Sequence, residues 1–146
     1  MKTLKNVFVA TLLAFTVTTL HADAKVQAGP KGGRLLETDA PRPEFFVEKD
    51  RRISLTFYDA NLKPVAVTAQ TATATAETKE GRVKLDFEKK GDSLVSKTAL
   101  PEGEGYTVVV QLKATPDAKP KNFRFPLLLH ECGGCKRAEY ACTCDE

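Results

Sequence analysis

The chain is poor in histidine, has no cysteine before position 132, and carries little excess of either charge. Of its two histidines, His21 falls in a segment that reads as a leader, so His130 is the one imidazole left for chemistry. A Ser-His-Asp set cannot be built around it in any recognisable pattern. The step Gly32-Gly33 fits no phosphate-binding motif, which needs a strand before it and a helix after it. The acids Glu77, Glu80, Asp86 and Glu88 alternate with apolar residues and read as a solvated face. No enzyme is expected from this inventory. The formal net charge is +3 at pH 7, and the basic residues are scattered among acids instead of forming a stripe, which argues against a nucleic-acid partner. With no cysteine in the body, no disulfide can brace it. With no amphipathic helical stretch of useful length, an α-helical domain is excluded as well.

The opening MKTLKNVFVATLLAFTVTTLHADA places Lys2 and Lys5 before an apolar stretch from Val7 to Leu20. It closes on Ala22-Asp23-Ala24, the small-x-small pattern that signal peptidases cut. The stretch is short and rich in threonine for a membrane span. No cysteine stands at the cut to accept lipid, and no twin arginine precedes the apolar run. Residues 1–24 are therefore expected to be a cleavable secretory signal. The protein is expected in the periplasm or secreted, with no membrane attachment after cleavage. What remains has the size of one domain.

From residue 25 to residue 129 short segments alternate apolar and polar residues between turn signals, the pattern of strands buried on one face. Candidate strands are Arg34 to Glu37 and Glu44 to Glu48, separated by a turn at Ala40 to Pro43 where two prolines oppose ladder pairing. In RRISLTFYD, Ile53, Leu55 and Phe57 share one face, and DANLKP follows as a turn. In PVAVTAQTATATAETKEG the apolar parity slips near Gln70. Either a bulge or a change of sheet absorbs the slip, or the segment is a loosely packed polar edge. Val83, Leu85 and Phe87 then alternate, KKGD turns at Gly91, and Ser93 to Leu100 returns as a hairpin. Tyr106 enters a late strand with Val108, Val110 and Leu112 in phase, which resembles a tyrosine corner. Phe123, Phe125, Leu127 and Leu129 mark the last strand, with Pro126 pointing to an edge or a bulge. The expectation is all-β: an immunoglobulin-like β-sandwich of about seven or eight short strands.

Residues 130–146 form a separate cysteine-rich tail that holds all four cysteines, Cys132, Cys135, Cys142 and Cys144, with His130 just upstream. A C-x2-C and a C-x-C on short turns can present four thiolates to one ion. Zinc takes four sulfurs as a tetrahedron, whereas copper(I) is content with two or three, with His130 as a further candidate. A bridge between Cys132 and Cys144 contributes about 3 kcal/mol in the loop-entropy model. A structural zinc in a peptide contributes roughly 10–16 kcal/mol. Against the metal stands the oxidising address, where an even cysteine count ordinarily means disulfides. A reversible thiol couple is the third reading, although few residues follow Cys135 to form the helix that lowers a thiol pKa in C-x-x-C redox proteins. Lys136 to Ala141 has room for about one and a half helical turns, which would put Cys135 and Cys142 on one face. A tail closed by disulfides would instead be an interaction knob, presenting Lys136, Arg137 and Tyr140 to a partner.

The stretches GPKGGRLLE and EFFVEKDRRISLTFYDANLKPV resemble a short β-rich domain of uncharacterised exported bacterial proteins. A weaker similarity extends to the N-terminal region of heavy-metal efflux periplasmic adaptor proteins. It rests on Gly29, Pro30, Gly32, Gly33 and the turn from Asp59 to Val65. Lys31 stands where that pattern often has histidine, which leaves the tail as the metal-binding candidate. The ending CGGCKRAEYACTC is similar to that of exported proteins with the same body. The resemblance names a family and supplies no activity; metal handling in the cell envelope, with an efflux or metal-handling protein as partner, is expected from the C-x2-C-x6-C-x-C spacing and the export signal.

Overall fold

The computed structural model describes residues 25–37 and 39–144. The leader 1–24 lies outside the described residues. Among the described residues the regular secondary structure is nearly all strand: β1 (Gln27–Ala28), β2 (Arg34–Leu35), β3 (Arg42–Val47), β4 (Ile53–Tyr58), β5 (Pro64–Val65), β6 (Thr71–Thr78), β7 (Gly81–Lys90), β8 (Ser93–Ser96), β9 (Tyr106–Lys113) and β10 (Lys121–Leu127), then a single 3-10 turn at Glu139–Ala141. Every pairing is antiparallel, and the path runs β1-β2-β3-β4-β8-β7-β6-β9-β10 with β5 beside β4.

This path is one curled sheet folded into two layers, and β7 makes the fold. Its first part, Gly81 to Asp86, pairs with β6, and its last part, Phe87 to Lys90, pairs with β8. One layer is therefore β3-β4-β8 and the other β7-β6-β9-β10, the strand order of an immunoglobulin-like sandwich. The alternation seen in the sequence accounts for the core. Phe45, Ile53, Leu55 and Phe57 face Ala74, Ala76, Leu85, Val108, Val110, Phe125 and Leu127 across the gap. The Phe45 and Phe125 rings meet edge to face with centroids 5.0 Å apart, an arrangement favoured by the ring quadrupoles.

The slip near Gln70 is a change of layer. Val65 pairs with Phe57 in one layer, and from Thr71 the chain runs in the other between β7 and β9. The alanine tract is a central strand, not a loose edge. Its small side chains leave room for the valines of β9 and for Leu85.

Several expectations need correction. Ten strands form where seven or eight were expected: β1 is new, β2 keeps only Arg34–Leu35 of the expected Arg34 to Glu37, and the PVAV stretch and the alanine tract are separate strands, β5 and β6. Pro43 lies inside β3, opposite Phe57. Its carbonyl accepts the Leu36 N–H at 2.9 Å, so its ring nitrogen also points away from β4 and no bond of that ladder is lost. Pro126 is on an outer strand, as its missing N–H requires, and its neighbour Leu127 turns its carbonyl inward to Gly105 N–H. Val83 shares the parity of Leu85 but is 41% exposed. Only Ser93–Ser96 of the expected return strand is regular. The Tyr106 hydroxyl donates to the Pro101 carbonyl at 2.9 Å, which makes it a tyrosine corner.

Glu44, the first residue of the second candidate strand, is fully buried. The GPKGG turn closes over it. Its carboxylate accepts the backbone N–H of Lys31 at 3.0 Å and of Gly33 at 2.7 Å. A Cβ at Gly29 would sit 2.2 Å from the Glu44 side chain, and one at Gly33 would sit 2.2 Å from the Phe45 carbonyl. The glycines of this motif thus admit the carboxylate and its neighbouring strand. Burial, with Glu44 as a further cause, also pushes the Tyr58 phenol upward. Glu44→Ala strands the buried donors, and its expected cost is about 2–4 kcal/mol in urea unfolding.

Candidate metal centre

Beyond β10 the chain does not trail away from the sandwich. The Glu104 carboxylate, from the glycine-rich turn before β9, accepts the backbone N–H of Leu129 and, at 2.9 Å, that of His130. These two donors hold the Glu104 carboxyl below the usual carboxylate range. The His130 Nδ1 lies 3.1 Å from the same carboxyl group. A small hairpin follows, closed by an antiparallel bridge between Glu131 and Ala138. Its tip is Cys132-Gly133-Gly134-Cys135. Cys132 N–H donates to the Arg137 carbonyl at 2.7 Å, and Lys136 N–H returns to the Cys132 carbonyl at 3.1 Å. Lys136 has φ of 59°, a left-handed conformation that turns the chain, so the stretch Lys136 to Ala141, which has room for about one and a half helical turns, forms only the 3-10 turn at Glu139–Ala141.

The return arm docks on the sandwich. Glu139 N–H reaches the His130 carbonyl at 2.9 Å, and Tyr140 N–H reaches that of Leu128 at 3.0 Å. Tyr140 is 4% exposed and Ala141 is fully buried, both within the main core cluster. The Tyr140 ring stands edge-on to Phe45 at 5.5 Å, and its hydroxyl accepts the Val47 N–H at 3.2 Å. Burial pushes its phenol up to about 12. The sequence-based picture of Tyr140 on an exposed partner surface is therefore corrected: the ring is the anchor of the tail.

The hairpin tip and the docked arm bring the sulfurs together. The Sγ atoms of Cys132, Cys135, Cys142 and Cys144 all lie within 4.8 Å of one another and can hold a metal ion. None is joined in a disulfide. Cys132 and Cys144 are 3.8 Å apart and Cys135 and Cys142 3.7 Å. A tetrahedron of thiolates on zinc, with bonds of about 2.3 Å, has edges of about 3.8 Å. Cys132 and Cys142 are closer, at 2.9 Å, so a tetrahedral ion requires that edge to open by nearly an ångström. His130 is outside the group.

No protein-family model, curated protein or solved structure matches the chain. The chemistry is therefore read from the site itself.

Backbone N–H groups of Thr143 and Arg137 point at Cys135 and lower its thiol to about 6, which favours its thiolate form. Hydrogen bonding to Cys132 is the main cause that raises Cys142 to about 12, and it raises Cys144 as well. Cys135 is thus the sulfur in this group favoured to lose its proton. A divalent cation replaces the thiol protons, because thiolate and not thiol is the ligand. Four thiolates on a divalent ion leave a residual negative charge. Lys136 and Arg137 lie in the same hairpin, and the Arg137 Nη1 donates to Thr143 Oγ1 at 3.2 Å, which ties the hairpin to the C-x-C.

Three residues besides the sulfurs shape the site, and only Gly134 belongs to the C-x2-C motif. Tyr140 was legible only as the one large ring in the tail, and Glu104 only as an acid in a glycine-rich turn. Gly134 is required by contact: a Cβ there would stand 2.7 Å from Cys144 Sγ. Gly133 has open space at the same distance scale. Gly134→Ala is expected to push Cys144 out of the shell and weaken metal binding by about tenfold or more, whereas Gly133→Ala leaves it nearly unchanged, as read by competition with a chromophoric chelator.

Proposed function

We propose that this is an exported, non-enzymatic protein that binds a soft transition metal through Cys132, Cys135, Cys142 and Cys144 and serves metal handling in the cell envelope. The observation that carries the reading is the convergence of four sulfurs within 4.8 Å on a hairpin anchored to the sandwich by Tyr140. Zinc is the first choice, because four sulfurs match its closed structural shell. Copper(I) is the second, because two or three of them satisfy it. The leader at residues 1–24 supports the envelope address, and an efflux or other metal-handling protein is the fitting partner for a small carrier of this kind.

Native mass spectrometry of protein isolated under nitrogen tests the reading. One zinc or copper ion per chain, with four thiols that alkylate after denaturation, is the expected result. Two intact disulfides and no ion end the proposal. An N-terminus at Lys25 in the exported protein is expected from the same spectra.

A further inference from the structure

We infer that the cluster releases its ion on oxidation through one specific disulfide, Cys132–Cys142, and that the tail stays docked when it does. The inference rests on the metal reading above and assigns the regulation of that same site.

The pair is singled out by distance and by anchoring. Its sulfurs are 2.9 Å apart, against 3.7 Å for Cys135 with Cys142 and 3.8 Å for Cys132 with Cys144. Both partners sit on fixed backbone. Cys132 N–H is bonded to Arg137 across the hairpin, and Cys142 N–H is bonded to the Glu139 carbonyl at 3.0 Å, directly after the buried Ala141. Cys142 and Cys144 are two residues apart, too near in sequence for an unstrained bridge. Cys144 is the exposed member and follows the last anchored residue.

The consequence follows from where the pair lies. Cys132 and Cys142 bracket the hairpin and the docked arm, so a bond between them encloses Tyr140 and Ala141 in a closed loop. The covalent bond then does what the ion did for the tail. Cys135 and Cys144 remain, two sulfurs where zinc's closed shell takes four. Oxidation thus discharges the metal without dismantling the fold, unlike a zinc finger, in which metal loss and unfolding are one event.

The oxidant is a disulfide, RSSR, such as an oxidised dithiol protein or oxidised glutathione. One thiolate of the pair attacks a sulfur of RSSR; that S–S bond breaks, one RS⁻ leaves, and a mixed disulfide forms. The other thiolate attacks the protein sulfur of the mixed disulfide and expels the second RS⁻. Cys132 and Cys142 together lose two electrons, and RSSR gains them. The leaving thiolates take protons from solvent according to their pKa values, the zinc ion leaves hydrated, and Cys135 and Cys144 exchange protons with solvent freely.

The test uses the full reduced chain. It is first loaded with zinc, and its stoichiometry is measured with a chromophoric chelator. Failure to take up zinc at this stage overturns the metal reading itself, before any oxidant is present. Oxidised glutathione is then titrated in, with released zinc, peptide-mapped disulfides and hydrogen exchange at Tyr140 followed together. The expected result is a fall of about tenfold or more in bound zinc, Cys132–Cys142 as the dominant bridge, and unchanged protection of the Tyr140 amide. Cys135→Ser retains both partners and is expected to form the same bridge on oxidation, whereas Cys142→Ser is not. Retained zinc at full glutathione oxidation, a dominant bridge between other cysteines, or loss of Tyr140 protection on oxidation each overturns the inference.

Discussion

Cys142→Ser is expected to cost the protein its metal and the docking of its tail together. A structural zinc contributes roughly 10–16 kcal/mol across four thiolates, so losing one ligand weakens binding about 100- to 1000-fold. Cys142 is the sulfur next to the buried Ala141, and in the proposed metal site its bond to the ion ties the docked arm to the hairpin tip. Without it the arm is held by the Glu131 to Ala138 bridge, the hydrogen bonds to Leu128 and His130 and the buried Tyr140 ring, with no tie from Cys142 to the hairpin tip, so exchange at Tyr140 is expected to rise. Competition with a chromophoric chelator reads the affinity, the thiolate-to-cobalt charge-transfer band reads the ligand count, and hydrogen exchange at Tyr140 reads the docking. Cys144→Ser makes the informative contrast. Cys144 is exposed and lies beyond the anchored arm, so its loss lowers affinity while Tyr140 stays protected. Equal loss of protection in both variants would remove the assignment of Cys142 as the structural member of the set.

Tyr140→Ala is the change with the largest expected effect on stability. The ring is almost fully buried beside Phe45, within the cluster that also holds Phe125 and Leu127. Removing a buried aromatic side chain leaves a cavity that the surrounding side chains fill only in part, at a cost of about 3–5 kcal/mol. The Val47 N–H also loses its acceptor. Tyr140→Phe keeps the ring and loses only the hydroxyl, so about 1 kcal/mol is expected. Urea unfolding of the metal-loaded protein measures both. The two effects are linked through Cys142, two residues on: Tyr140→Ala is expected to weaken metal binding as well, since the sulfur loses its fixed backbone. An unfolding midpoint that does not move would mean that the tail is energetically separate from the sandwich.

The strand pattern was legible because alternation is a local property. Ile53, Leu55 and Phe57 in β4 and Val108, Val110 and Leu112 in β9 share a face by period alone, whatever they pack against. The parity slip at Gln70 marked the place where the chain changes layer, although the sequence left a loose edge equally open. Val83 shows the limit of the same rule: it has the parity of a core residue, but it lies in the half of β7 that pairs with β6 alone and forms an edge. Glu44 shows another limit. Nothing in the alternation of β3 announces that the GPKGG turn folds over its outer face and supplies N–H donors to a buried carboxylate.

At the tail, the sequence by itself determined the ligand types and their clustering, because C-x2-C and C-x-C place four sulfurs on turns too short to scatter them. It also determined that no disulfide could brace the body. The tertiary structure alone decided that the tail is packed and that His130 faces Glu104, apart from the sulfurs. The reason is separation along the chain. Tyr140 and Val47, whose contact holds the tail, are 93 residues apart, and Glu104 and His130 are 26 apart. Contacts of that range are chosen by how two layers close on one core, and no local period records that choice.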